Sequence, residues 1–166
     1  ILVKGSNYLE SLAMTEIAVF DKTGTLTRGV FEVHGVKPSR NPESAGIDPE
    51  ELLELAAYAE NYSNHPISVS LKKAYGKIID SKRIGTVEEI AGHGLKAEVN
   101  GKELLVGNFK LMDKFSIPYD IDSSTIVYTL IAIAYDKKFA GYLTIADSIK
   151  EDAQEAINKL HSMNVK

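Results

Sequence analysis

An aspartate at the start of a short polar run has the surroundings that phosphoryl transfer requires. Residues Asp21 to Thr27 read Asp-Lys-Thr-Gly-Thr-Leu-Thr and follow the apolar run 17–20. An exposed carboxylate at a strand end can attack the γ-phosphate of ATP if a cation neutralises the opposing charges and the backbone turns tightly. Asp21 would attack, Mg²⁺ would bridge carboxylate and phosphoryl oxygens, Thr23 could give the metal its backbone carbonyl, and Gly24 permits close approach.

The residue two positions after Asp21 indicates how long such a phosphate would persist. A hydrolase of this design needs an acid there to protonate the leaving group and then activate water, and Thr23 can do neither near neutral pH. We therefore expect a persistent acyl phosphate, which suits a machine that couples phosphorylation to a conformational change. The plainer alternative is that Asp21 to Thr25 is only a polar turn after a strand.

A histidine and a glutamate could recognise an adenine base. His65 precedes Pro66 at the start of a predicted helix, and Glu60 lies five residues earlier, near the end of another. His65 could stack on the adenine ring, and Glu60 could accept a hydrogen bond from its amino group. The alternative is that the His-Pro pair only begins a helix.

Two glycine-containing turns are further candidates for nucleotide contact. Gly92 and Gly94 follow one strand-like run, and Gly107 with Asn108 follows another. A glycine lets the backbone approach a ligand closely, although a turn between strands would also explain these residues.

Asp147 and Lys150 stand at the end of the last apolar run. We expect Lys150 in the first turn of the closing helix, where a cation opposes the helix dipole by a few tenths of a kcal/mol. An exposed lysine with no role is the alternative.

Apolar residues at helical spacing, with capping signals, predict four helices. They are residues 9–14, a helix that begins at Pro49 after the N-cap Asp48, a helix from Ile67 to about Ile79, and a closing helix capped by Ser148 with Glu151.

Short apolar or alternating runs predict the strands 16–20, 83–90, 95–99, 103–106, 125–135 and 139–146. Asn100-Gly101 and residues 136–138 are predicted hairpin turns, and residues 37–49 a loop. We expect strand 16–20 to be buried on both faces, with Asp21 at its carboxyl end. The chain is thus of mixed α/β and α+β class: residues 30–141 form a mostly antiparallel α+β unit inserted into a host layer formed by residues 1–29 and 142–166.

Composition limits the partners. The 166 residues carry a net charge of −4 without a basic stripe, so nucleic acid is a poor candidate. They contain no cysteine, which excludes disulfides and thiolate metal sites. The longest apolar run, 126–135, is too short to cross a bilayer.

Asp21 to Thr27 resembles the phosphorylation signature of P-type ATPases, a branch of the haloacid dehalogenase superfamily. Residues 1–10 resemble the segment that joins the transmembrane region to that signature in heavy-metal pumps. Glu60, Ser63, His65 and Pro66 match the nucleotide pattern of the same pumps, and Asp147 with Lys150 resembles their Asp-x-x-Lys element.

The resemblance implies a partial, Rossmann-like phosphorylation domain over residues 1–29 and 142–166, interrupted by a nucleotide-binding domain over residues 30–141. Asp21, Lys22, Thr23, Asp147 and Lys150 would be catalytic, with Asp21 and Thr23 as the Mg²⁺ ligands. ATP would bind at Glu60, His65, Gly92, Gly94, Gly107 and Asn108. The chain would be the cytoplasmic portion of an integral plasma-membrane pump, acting with the rest of the same polypeptide.

The resemblance also implies a transported heavy-metal cation, which would bind outside this chain. Residues 7–10, 29–33 and 141–143 look more like zinc, cadmium or lead exporters than copper pumps. The alternatives are a soluble phosphatase of the same superfamily, against which Thr23 argues, and a nucleotide-binding module without chemistry.

Several elements of the family do not occur in the sequence, among them the Thr-Gly-Asp element, the phosphoryl-contacting lysine and the acidic pair that completes Mg²⁺ binding. Both ends of the chain look like cuts. We therefore expect this piece to hold Mg²⁺ weakly, to turn over ATP poorly or not at all, and still to bind nucleotide.

Overall fold

A computed structural model describes residues 2–41, 44–119, 121–122 and 126–166. The chain divides into two units, one formed by Ile1–Gly29 with Asp147–Lys166 and the other by Val30–Ala146. Ile1, Pro42 and Thr125, which we assigned to the lead-in, a loop and a strand start, lie outside the described residues.

The second unit is built on a six-stranded sheet in the order β1-β6-β5-β4-β3-β2. The strands are β1 (Thr27–Pro38), β2 (Ile84–Ile90), β3 (Gly94–Val99), β4 (Lys102–Gly107), β5 (Thr129–Tyr135) and β6 (Lys138–Ile149). The pairs from β2 through to β6 are antiparallel, as predicted. β1 was not predicted: its glycines and charged residues hide a strand that is the sheet neighbour of β6.

Two tight turns set the register of this sheet. Asn100 and Gly101 join β3 to β4 with φ of 54° and 74°, the left-handed conformation that a two-residue hairpin turn requires. Asp136 and Lys137 join β5 to β6 with φ of 52° and 63°. Both predicted turns are confirmed.

A helical hairpin packs on one face of the sheet. In α2 (Pro49–Ala59) the N-cap side chain of Asp48 accepts a hydrogen bond from Glu51 N at 2.8 Å, as the sequence predicts. α3 (Pro66–Tyr75) ends at Gly76 with φ 64°, earlier than the predicted Ile79, because glycine adopts the left-handed cap conformation at little cost.

Alternate residues of the strands face two separate cores. Leu104 and Val106 of β4 pack with the buried residues of α2 and α3, including Leu52 and Leu71. The intervening Leu105 packs with a second cluster that includes the buried residues of the short helix α4 (Phe109–Lys114). Because strand side chains alternate, residues on both faces of the central strands are buried.

The first unit contains α1 (Ser6–Ala13), an irregular turn over Lys22–Leu26, and α5 (Ala153–Ser162). The predicted strand 16–20 is wrong. Ala18 N donates to Lys166 O and Lys166 N to Glu16 O, each at 2.8 Å, but no strand is assigned there. Val19 is 92% exposed, because the described residues supply this segment with no neighbouring strands to cover it.

The predicted start of the closing helix is also wrong. Ser148 belongs to β6, and α5 begins only at Ala153. Lys150 N donates to Leu26 O at 3.0 Å, so backbone pairing continues past the end of β6 and delays the helix. Across the described residues, no helix is long and apolar enough to cross a membrane.

Candidate functional site

A cavity of about 610 Å³ opens in the second unit between the helical hairpin and strands β2 to β5. Five of the six predicted nucleotide residues line it: Glu60, His65, Gly94, Gly107 and Asn108. Volumes of this size are typical of pockets for small molecules and cofactors. Most of the remaining lining is apolar, including Ile67, Val106 and Ile131.

Glu60 and His65 reach the cavity from the facing ends of α2 and α3. Glu60 is the C-cap of α2, and His65 is the N-cap of α3. The imidazole Nδ1 of His65 accepts a hydrogen bond from Ile67 N at 3.3 Å. This bond assigns the ring proton to Nε2 and holds the exposed ring beside the cavity.

Gly94 and Gly107 form the floor where β3 and β4 meet. They are direct partners in the strand register. A Cβ on Gly94 would lie 2.3 Å from Val106 O, and one on Gly107 would lie 2.1 Å from His93 O. Only glycine fits at either position, so the backbone itself faces the cavity there.

Asn108 holds the glycine turn to the end of β4. Its Nδ2 donates to Gly92 O at 2.9 Å, and its Oδ1 accepts from Leu111 N at 3.2 Å as the N-cap of α4. Gly92, with φ 74°, is therefore tied to the site through Asn108, although it does not line the cavity. Both ends of the Asn108 amide are used within the protein, which indicates a positioning role.

Ser68, absent from our sequence-based candidates, also lines the cavity. Its side chain is buried, and its hydroxyl lies 2.6 Å from Glu60 Oε2 and 2.9 Å from Ser63 Oγ. The sequence does contain a hint of this role, because Ser68 lies three residues before the buried Leu71 and so on the apolar face of α3. A polar residue on such a face needs a partner, which here is Glu60.

In the first unit, Asp21, Lys22 and Thr23 are exposed on the turn that precedes β1. Gly24 has φ 81°, a conformation that favours glycine. Within the described part of the chain, the Asp21 carboxylate makes no hydrogen bond or ion pair. The Asp21 carboxylate and the Thr23 carbonyl are oxygen donors of the kind that Mg²⁺ prefers. The described residues contain no cluster of three or more His, Cys, Asp or Glu side chains for a metal.

Thr27, also missed as a site residue, closes the turn from inside. Its buried hydroxyl accepts from Gly24 N at 3.2 Å and lies 3.0 Å from Lys22 O. The same hydroxyl makes a short contact with Asp147 Oδ2. The sequence signal for Thr27 is a small polar residue that follows the apolar Leu26 at the end of the run Asp21 to Thr27.

Asp147 and Lys150 both contact this turn. Lys150 lies before α5 and not in its first turn as expected, and its Nζ donates to Gly24 O at 2.9 Å. Asp147 Oδ1 is buried, and among the described residues it has no hydrogen-bond partner. The structure thus brings the predicted Asp147 and Lys150 to the segment that carries Asp21.

Comparison with known proteins identifies the family. Residues 15–166 match haloacid dehalogenase-like hydrolases. The chain belongs to this family.

Two relatives of this haloacid dehalogenase-like chain are metal-transporting ATPases. It is 50% identical over 166 residues to a cadmium, zinc and cobalt-transporting ATPase of Bacillus subtilis, covering 100% of this chain and 23% of the relative. It is 43% identical over 165 residues to a zinc-transporting ATPase of Synechocystis, covering 99% and 22%. The chain therefore spans less than a quarter of these relatives.

A solved structure of a metal-transporting ATPase is also similar to this chain. A zinc-transporting PIB-type ATPase in its E2.Pi state matches 99% of this chain and 27% of its own, with a TM-score of 0.72 and 26% identity. The resemblance to heavy-metal P-type ATPases and the α/β class with an antiparallel sheet are confirmed. The chain corresponds to one part of such an enzyme.

Proposed function

We propose that this chain is the ATP-binding and phosphate-accepting part of a P-type ATPase that exports a heavy-metal cation. It would lie on the cytoplasmic side of a plasma membrane and act with the rest of the same polypeptide. In this proposal residues 30–141 form the nucleotide-binding domain, and residues 1–29 with 142–166 belong to the phosphorylation domain. The observation that carries it is the cavity on which Glu60, His65, Gly94 and Gly107 converge.

In the nucleotide step, adenine enters the cavity against its apolar lining. The His65 ring stacks on the base, and the Glu60 carboxylate accepts a hydrogen bond from the 6-amino group. Gly94 and Gly107 expose backbone that can approach the nucleotide closely, since neither carries a Cβ. Asn108 keeps the Gly92 turn in place.

In the phosphoryl step, a carboxylate oxygen of Asp21 attacks the γ-phosphorus of ATP. A new O–P bond forms, the bond from γ-phosphorus to the bridging oxygen breaks, and ADP leaves with that oxygen's electron pair. Mg²⁺ bound at the Asp21 carboxylate and the Thr23 carbonyl would neutralise charge between the carboxylate and the phosphate. Lys22 adds a neighbouring cation, and Lys150, Thr27 and Asp147 hold the turn that presents Asp21.

Thr23 supports a persistent aspartyl phosphate. It stands two residues after Asp21, where a phosphatase of this design needs a carboxylic acid, and its hydroxyl cannot activate water near neutral pH. A persistent phosphate suits coupling to transport better than simple hydrolysis.

Zinc and cadmium are the proposed cargo, with lead kept as a third candidate. The support comes from the two relatives: both are zinc-transporting ATPases, and the one at 50% identity also transports cadmium and cobalt. The cargo would bind outside this chain.

Calorimetric titration of ATP against this chain tests the nucleotide site. We expect wild type to bind ATP, His65→Ala to bind it about tenfold more weakly through lost stacking, and Asp21→Asn to bind it at least as well as wild type. Thermal unfolding of the three proteins checks that they are equally folded. If His65→Ala and wild type bind ATP alike, the proposed site is wrong and the phosphatase alternative gains.

A further inference from the structure

A series of hydrogen bonds connects His65 to Glu60 along the wall of the cavity. His65 N donates to Ser63 Oγ at 3.2 Å. Ser63 Oγ lies 2.9 Å from Ser68 Oγ, which in turn lies 2.6 Å from Glu60 Oε2. These hydrogen bonds connect the two helices of the hairpin, since Glu60 ends α2 and Ser68 lies in α3.

Only one assignment of donors and acceptors is consistent along this series of hydrogen bonds. A serine hydroxyl has a single proton, and the ionised Glu60 carboxylate can only accept. Ser68 therefore donates to Glu60 Oε2 and accepts from Ser63, whose own oxygen accepts from His65 N. Every member from the backbone amide to the carboxylate is satisfied, and the order cannot be reversed while Glu60 is charged.

Lys72 fixes the loop between α2 and α3, which contributes Ser63 to this series of hydrogen bonds. Its Nζ donates to Ser63 O at 2.8 Å and to Asn61 O at 3.2 Å. Because Lys72 lies one turn after Ser68 in α3, the loop between the helices is tied to the same helix that holds the carboxylate. The separation between Glu60 and His65 is thereby set before a ligand arrives.

We propose that Ser68 is a positioning residue that makes this cavity selective for 6-aminopurine nucleotides, an inference that rests on the proposed function. Ser68 occupies Glu60 Oε2 and leaves Oε1, which no described residue hydrogen-bonds, as an acceptor for the ligand. An acceptor held in place matches the amino group of adenine and opposes the carbonyl oxygen of hypoxanthine. Without Ser68 the glutamate side chain regains its rotamers, and this preorganisation is lost.

Ser70 supplies a matched control within the same helix. It is buried like Ser68, and its hydroxyl also makes a hydrogen bond, at 2.8 Å to Ile67 O. It does not line the cavity, and its hydroxyl bonds to Ile67 O and not to Glu60. Any effect of losing a buried serine hydroxyl from α3 should therefore appear in both Ser68→Ala and Ser70→Ala, whereas an effect on base selection should appear only in Ser68→Ala.

The test measures dissociation constants of this chain for ATP and for inosine triphosphate, which differ at the 6 position of the purine. We expect Ser68→Ala to weaken ATP binding about tenfold with little change for the inosine nucleotide, so that the preference for ATP falls by a similar factor. Ser70→Ala should keep the wild-type preference. Ser63→Ala interrupts the same chain of hydrogen bonds from the loop and should lower the preference if Ser68→Ala proves too unstable to measure.

A double-mutant cycle shows whether Ser68 acts through Glu60. In a Glu60→Gln background, Ser68→Ala should cause no further loss of preference. Independent, additive losses in the cycle, or an unchanged preference in both Ser68→Ala and Ser63→Ala, would overturn this inference while leaving the proposed function standing. A wild-type chain that does not bind ATP would overturn both.

Discussion

Gly94 of β3 lies directly opposite Gly107 of β4, and the backbone of each strand occupies the space that a side chain on the other would need. A Cβ on Gly94 would lie 2.5 Å from Gly107 Cα and 2.3 Å from Val106 O. This pair brings the two strands together at the floor of the cavity. The close approach of the two glycines is therefore needed both for the pairing of β3 with β4 and for the shape of the cavity floor.

Gly94→Ala should destabilise the chain and weaken ATP binding together. Overpacking against backbone and a left-handed φ of 141° should cost roughly 3 kcal/mol in the free energy of unfolding. Gly101→Ala is the control, because Gly101 has φ 74° but open space around its missing Cβ. Urea unfolding should show roughly 1 kcal/mol for the control; equal losses in the two variants would show that the close strand contact is not the cause.

Thr27→Val should loosen the turn that carries Asp21 without changing the side-chain volume. It leaves Gly24 N without its acceptor and Asp147 Oδ2 without its hydroxyl partner, at a cost of about 1–2 kcal/mol. Amide hydrogen exchange at Gly24 should become faster. Thr25→Val, at an exposed position of the same turn, should leave that exchange rate unchanged; faster exchange in both variants would argue against the role of Thr27.

Tyr75 should stay protonated at a pH where ordinary tyrosines ionise. Burial and the neighbouring Glu54 carboxylate raise the pKa of its phenol from 10.0 to about 12. Between these values the folded chain holds a proton that the unfolded chain has lost, so the stabilisation from Tyr75 is complete below pH 10 and disappears as the pH rises towards 12.

The hydrogen bond to Asp113 also raises the pKa of Tyr119, so ultraviolet titration of the eight tyrosines should show late ionisation of both phenols. Tyr75→Phe should remove the Tyr75 contribution near pH 12, whereas Tyr62→Phe, at a residue that is 65% exposed, should not change the late ionisation. A wild-type titration that is complete by pH 11 would contradict the raised pKa.

Arg83→Met should destabilise the second unit although Arg83 is partly exposed. Its guanidinium pairs with Glu54 at 2.6 Å, donates to Tyr58 Oη at 3.1 Å and donates to Asn100 Oδ1 at 2.8 Å. These bonds join α2 to the hairpin of β3 and β4, and we expect a loss of about 1 kcal/mol after allowing for solvent screening. Lys77→Met removes an exposed ion pair with Glu50 and should cause no measurable loss. A larger loss from Lys77→Met would contradict this ranking.

Elements that depend on local signals could be predicted from the sequence. The Asp48 cap and Pro49 determine the start of α2 within a few residues of chain, and Asn100-Gly101 determines its turn by backbone preference alone. The candidate residues around the cavity were also accessible, but through the resemblance to heavy-metal pumps, since a helix start would equally explain His65 and strand turns would equally explain the glycines. Their convergence on one cavity was not, because it depends on the packing of the helical hairpin over the sheet.

Elements that depend on distant partners could not be predicted. Ser148 with Glu151 has the form of a capping box, yet the sheet extends β6 through Ile149 and the helix begins at Ala153. The run 16–20 has the composition of a buried strand, yet only the segment at Lys166 pairs with it among the described residues. Ser68 was missed because its role depends on a carboxylate eight residues away on another helix.

The most direct test of the proposed nucleotide site is a titration of the isotopically labelled chain with ATP, followed by amide nuclear magnetic resonance. We predict that the largest chemical-shift changes occur at Glu60, His65, Gly94, Gly107 and Asn108, with little change at the β5–β6 turn, residues 136–137. Saturating ATP that leaves these five amides unchanged, or that shifts mainly other surfaces of residues 30–146, would contradict the claim that this cavity is the nucleotide site.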